Sequence, residues 1–160
     1  MIGCVDVDLK SSSDQNQNIN SLLTEKMSSK SEYVKNLYVL YSEGNIPKIT
    51  ESLADDMETM ACSEHDASIS GWKVFKGKDG FLEMLNTLVT GSAECGVPVI
   101  ESTFENGNEV LALGSVPLTR KSNGNTVSIP FIHRWRLSGE GKCSHMWEYV
   151  DAHAWARIFV

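Results

Sequence analysis

Among the ionisable residues of this chain, His133 and Glu148 are the two best suited to work as a pair. An imidazole changes charge near neutral pH, and a carboxylate beside it can orient and charge it for proton transfer. The two residues fall on stretches of period-two pattern, Thr126 to Leu137 and Lys142 to Val150, separated by Gly139-Glu140-Gly141. Strands joined by so short a turn lie side by side, so the two side chains can meet directly or diagonally. Alternation puts Phe131, His133 and Trp135 on one face and Ile132, Arg134 and Arg136 on the other. Two arginines belong near water, so the His133 face is expected to point inward, with Phe131 and Trp135 as candidate ligand contacts. In the second stretch Met146, Glu148 and Val150 oppose His145, Trp147, Tyr149 and Asp151. Each of those faces has a polar member, so composition alone leaves the choice open.

Other chemistries find no support. There is no glycine-rich phosphate loop and no spaced set of metal ligands, so neither a cofactor nor a metal is expected. His133 and Glu148 could hold an ion only with a third ligand, and none is obvious. Cys4, Cys62, Cys95 and Cys143 are far apart, without a CxxC pair. Together with an amino terminus lacking a basic segment followed by an apolar one, they predict reduced thiols in a cytoplasmic protein. The 160 residues carry 14 Lys+Arg against 21 Asp+Glu, a net charge of -7. That balance argues against nucleic-acid and acidic-membrane partners. No apolar run approaches the ~18 residues of a membrane span.

These residues must be positioned by a fold that the pattern outlines. Residues 1–30 are rich in Ser, Asn, Gln and Asp and are expected to form a polar extension, leaving 31–160 for one domain. Ser31 is the expected cap of a helix carrying Val34, Leu37, Tyr38 and Tyr41 and stopped by Gly44. Asn45 precedes a second, short helix, and a third is expected over about 78–90 with Leu82, Leu85, Leu88 and Val89 as its stripe. Period two then takes over in strands from Val97 to Phe104, Glu109 to Arg120, Thr126 to Leu137 and Lys142 to Val150. Gly114 and Pro117 are expected to mark bends in the longest of these. Helices first and a meander after make an α+β fold.

The stretch from about Tyr33 to Phe159 resembles the nuclear transport factor 2-like superfamily, and within it the SnoaL-like, ketosteroid-isomerase-like branch. The likeness rests on Val39-Leu40-Tyr41-Ser42-Glu43-Gly44-Asn45, on Leu53-Ala54-Asp55-Asp56-Met57 and on Phe75-Lys76-Gly77-Lys78-Asp79-Gly80-Phe81. It continues in Phe131-Ile132-His133-Arg134-Trp135-Arg136-Leu137, Gly141-Lys142 and Trp147-Glu148-Tyr149-Val150-Asp151. The resemblance implies a cone of curved antiparallel sheet wrapped around three helices, an apolar pocket for a small hydrophobic ligand, and a homodimer through the sheet. It places His133 where ketosteroid isomerases carry an oxyanion-binding acid, and it favours Met146, Glu148 and Val150 facing inward.

The likeness to the enzymes is incomplete. The place of the isomerase base falls at Ala61, and that of the oxyanion-hole tyrosine at Leu37, with Tyr38 and Tyr41 close by. The Arg-x-Asp pair of epoxide hydrolases has no counterpart before Arg120. Replacement groups are Asp66 or His65, near the expected pocket mouth and Trp72, and Asp151, which also suits the cap of a terminal helix beginning near Ala152. Two readings follow. One is a cofactor-free cyclase, isomerase or dehydratase acting on a hydrophobic carbonyl compound through His133 and Glu148. The other is a non-catalytic module binding a small ligand or a protein. The missing bases favour the second and the polar pair favours the first.

Overall fold

A computed structural model describes residues 29–62 and 72–158. Helix α1, Lys30–Ser42, is capped by Ser29, two residues earlier than the expected cap Ser31, because other groups satisfy its first amides. Ser29 Oγ accepts from the Glu32 N–H at 3.1 Å, and Glu105 of a distant hairpin accepts from the Ser31 N–H at 2.7 Å. Ser29 and Lys30 therefore belong to the folded domain. Gly44, at φ 68°, turns the chain out of α1 in a conformation that only glycine adopts readily. Asn45 then caps α2, Ile46–Glu51.

The chain continues as β1 (Leu53–Cys62), β2 (Trp72–Lys76), α3 (Gly77–Thr90), β3 (Ala93–Cys95), β4 (Val99–Asn106), β5 (Glu109–Arg120), β6 (Thr126–Leu137), β7 (Cys143–Val150) and α4 (Ala152–Arg157). The meander β4 to β7 is antiparallel, as its pattern predicts. The whole sheet is mixed, in the order β2-β1-β7-β6-β5-β3, with β4 also on β5. After the β1–β2 hairpin and α3, the chain begins the meander at the far edge. It returns as β7 beside β1, running the same way, so β1 and β7 are parallel. The α+β cone is present, with four described helices rather than three.

The expected strand 97–104 is β4, two residues further on, and β3 before it was not expected. β3 pairs with the end of β5, at Cys95↔Leu118, and β4 with its beginning, at Val99↔Ser115. The break falls at Gly96-Val97-Pro98, where proline has no N–H to give the ladder. The register slips again between Ile100 and Ser102, beside Gly114. A Cβ at Gly114 would stand 2.1 Å from the Val99 carbonyl oxygen, so glycine is required by the close approach of β4. Pro117 instead stays in register with Ser128.

Two apolar clusters form. Helices α1 to α3 lay Val34, Leu37, Phe81 and Met84 against Met57, Trp135 and Met146 on the concave face. The buried stripe of α3 runs through Phe81 and Met84, one position away from the predicted Leu82, which is only half-buried. Under α4, Trp155 and Ile158 pack on Leu118, Ile129 and Phe131.

Candidate active site

β6 and β7 meet in a register that sets His133 directly opposite Glu148, Trp135 opposite Met146, and Phe131 opposite Val150. Inward alternation on both strands then follows from burial. Phe131, Trp135 and Met146 are buried, while Ile132 is 42% exposed on the other side. His133 Nε2 and Glu148 Oε1 stand 3.6 Å apart, and the two side chains are 12% and 14% exposed. Groups so removed from water interact across a lower effective dielectric than a surface pair does.

Helix α1 supplies the third member. Leu37, Tyr38 and Tyr41 recur at helical spacing and face the sheet. The Tyr38 hydroxyl lies 2.9 Å from His133 Nδ1, and the Trp135 indole N–H donates to the same oxygen at 2.9 Å. Burial, followed by the charge of Glu148, pushes the Tyr38 phenol well above its ordinary pKa, although the Trp135 bond opposes this. Tyr38 therefore stays a neutral hydroxyl. The imidazole is held between Phe131, with centroids 4.0 Å apart and planes at 22°, and Tyr38, at 6.0 Å and 18°. Opposite His133 on β5 is Ala112, whose small side chain adds little bulk beside the ring.

These residues line a cavity of about 80 Å³. Its other walls are apolar, from Ile49 of α2, Phe81, Met84 and Leu85 of α3, Pro98 after β3 and Val116 of β5. Burial pushes the Tyr41 phenol up to about 12 and, with help from the Glu148 charge, the Cys95 thiol up to about 12. Both remain neutral at physiological pH. Among the described residues that line the cavity there is no Lys or Arg. Among the described residues no cluster of three metal-ligating side chains occurs, and no helix is long and apolar enough to cross a membrane.

The structure thus brings together Tyr38, Tyr41, His133, Trp135, Met146 and Glu148. Phe131 is not on the cavity surface. It backs the imidazole from the second cluster. Asp151 is not at the cavity either. Its carboxylate accepts from the His153 and Ala154 N–H groups as the cap of α4, and the bond from Ala154 holds its pKa below the ordinary value. His65, Asp66 and the side chain of Trp72 lie outside the described residues. Sequence reasoning missed Cys95 and Pro98, because it began the strand at Val97, inside the bend between β3 and β4, and expected no strand before it. Ala61 is a buried residue of β1, as unsuited to act as a base as its type suggests.

The family model of the SnoaL-like domain matches residues 34–146. The chain belongs to the SnoaL-like domain family. Solved structures share the fold at low identity. An NTF2-like protein of unknown function from Burkholderia pseudomallei superposes with TM-score 0.70 at 19% identity, over 84% of this chain and 99% of its own. TerC, co-crystallised with polyporic acid, gives 0.66 at 21%, over 82% and 98%. SalBIII, an epoxide hydrolase/cyclase-like enzyme of pyran ring formation in the polyether salinomycin, gives 0.61 at 20%, over 81% and 95%. No curated protein sequence matches this SnoaL-like chain.

Proposed function

We propose that this SnoaL-like domain binds a small hydrophobic carbonyl compound in the cavity and moves a proton on it without a cofactor, in a cyclisation, isomerisation or dehydration. The observation that carries the reading is the His133–Glu148 pair, 3.6 Å apart in a cavity otherwise walled by apolar groups. A proton donor and acceptor side by side in such surroundings is the arrangement that acid–base catalysis needs. TerC with its bound polyporic acid and the cyclase-like SalBIII lend support at the level of the fold.

The experiment is to purify the protein, release and identify any bound compound by mass spectrometry, and assay turnover of that compound. Wild type should convert it and His133→Ala should not. Full turnover by His133→Ala would overturn the proposal. A second reading, a non-catalytic binding module, draws on the cavity itself, since about 80 Å³ is well below the roughly 300 Å³ of an ordinary ligand site. On that reading the compound is recovered unchanged from wild type and variant alike.

The outer face of the sheet supports a further part of the reading, a homodimer. Phe104, Leu111, Ile132 and Tyr149 are exposed there on four adjacent strands. Glu109, bonded to both Arg134 and Arg136, supplies charges of both signs that a two-fold axis can cross-pair. Sedimentation velocity should give a dimer for wild type and a monomer for Tyr149→Glu, and a monomeric wild type would reject the interface. The buried free thiol of Cys143 and the half-buried one of Cys95 suit a reducing, cytoplasmic location.

A further inference from the structure

The hydrogen bonds behind His133 determine which of its nitrogens carries the proton. An indole N–H can only donate, so at 2.9 Å the Tyr38 oxygen must accept from Trp135. The phenol has a single proton of its own. Its other partner at 2.9 Å is His133 Nδ1. If Nδ1 were protonated, the Tyr38 oxygen would face two N–H donors, and its own proton would be left without an acceptor among the described residues, in a side chain that is 9% exposed. Buried donors are rarely left so. The Tyr38 proton therefore points to Nδ1, and Nδ1 accepts it. Ring rotation by 180° would replace Nδ1 with a carbon and lose this bond, and Phe131 stacks at 4.0 Å against the ring.

We infer that Trp135 and Tyr38 hold His133 with Nδ1 as acceptor and its proton on Nε2, which makes His133 the hydrogen-bond donor to a ligand oxygen and Glu148 the proton acceptor. This rests on the carbonyl-ligand reading given above and divides the labour within it. Trp135 and Tyr38 are positioning residues, acting through His133. The 3.6 Å between Nε2 and Oε1 is longer than a good hydrogen bond, so the N–H is only loosely engaged and a ligand oxygen can compete for it. The step balances within the cavity. A Glu148 oxygen takes a proton from the carbon next to the carbonyl, and the C–H electron pair becomes the new C=C bond. The C=O π pair moves onto the oxygen held by Nε2–H. Return of the proton from Glu148 to the same carbon, as the oxygen's electron pair re-forms C=O, completes an exchange with no oxidant or reductant.

The test is the tautomer of His133 in the ligand-free full chain, read from long-range ¹H–¹⁵N correlations of protein labelled in histidine nitrogen. His133→Asn identifies which of the four histidines gives the signals. Wild type should show Nε2 protonated and Nδ1 as acceptor, in about tenfold excess over the other tautomer. Tyr38→Phe and Trp135→Phe should each lower that ratio severalfold, the second while leaving the Tyr38 hydroxyl in place. Glu58→Gln, on the outer face, should leave it unchanged. A wild-type ring protonated on Nδ1, or a ratio that neither variant moves, overturns the inference. If the variants fail to fold, the wild-type tautomer alone decides. Since no ligand is needed, failure of every carbonyl compound to react would count against the proposed function and not against the tautomer.

Discussion

Two histidine–glutamate pairs lie on opposite faces of the same sheet, and β7 contributes to both. Inside, His133 and Glu148 are 3.6 Å apart and about one-eighth exposed. Outside, His145 and Glu58 are 3.8 Å apart, and their side chains are 29% and 45% exposed. The residue types and distances are nearly the same, and each imidazole stacks on an aromatic ring, Phe131 inside and Trp147 outside. The difference is in what surrounds them. Outside, two arginines lie over the Trp147 ring and share Glu109, so charges are screened by water and by one another. Inside, the pair has Tyr38, Trp135 and apolar walls. A His–Glu contact becomes a candidate for chemistry through its surroundings, and strand alternation is what sorts the two environments.

The widest separation between the faces is expected in ligand selectivity. Two unit charges about 4 Å apart at an intermediate dielectric differ by roughly 4 kcal/mol, enough for more than a hundredfold in binding. Wild type should therefore bind cyclohexanone at least a hundredfold more tightly than cyclohexanecarboxylate at neutral pH, by NMR titration. Glu148→Gln should erase most of that ratio and Glu58→Gln none of it. Next in size is Gly114→Ala, whose added Cβ would collide with the Val99 carbonyl on the inner side of β5. It should cost about 3 kcal/mol in denaturant unfolding. Leu111→Ala, on the outer side of the same strand, should cost under about 0.5 kcal/mol in the monomer.

Tyr38→Phe should lose about 2 kcal/mol, because the Trp135 N–H and His133 Nδ1 would both lose a buried partner. Equal stability of wild type and Tyr38→Phe would show that the inner network is no tighter than the outer one. The smallest effect is on acid stability. The bonds from Arg134 and Arg136 hold the Glu109 carboxyl below its ordinary pKa. A folded pKa lower than the unfolded one stabilises the protein above the unfolded value of about 4.3 and is lost as pH falls through the folded one. Glu109→Gln should therefore lose a little stability at pH 7 and show a shallower decline below about 4.3. Melting temperatures across that range would check it.

Much of this was legible from residues. The β5, β6 and β7 boundaries follow from period two and glycine turns, and the inward face of β6 follows from its two arginines. The inward choice on β7 was not legible from composition, because Glu148 and His145 are both polar. Register against β6 and burial decide it. The parallel β1–β7 pairing was also hidden, since it depends on where the chain re-enters the sheet and not on any local pattern. The bend at Gly96-Val97-Pro98 escaped notice for a related reason. Its purpose is to carry the edge strand from one end of β5 to the other, a long-range demand written locally in one proline. Tyr38 was nominated through its closeness to a family position. Its bond to His133 across 95 residues is a product of how α1 lies on the sheet.

The central claim is that the inner pair transfers protons and the outer pair does not. It is tested most directly by deuterium incorporation next to the carbonyl of a panel of hydrophobic ketones in heavy water, followed by NMR. Wild type and Glu58→Gln should exchange at the same rate on at least one member. Glu148→Gln should be slower by about 10²–10⁴-fold. Exchange by Glu148→Gln at the wild-type rate, or its loss in Glu58→Gln, would contradict the account.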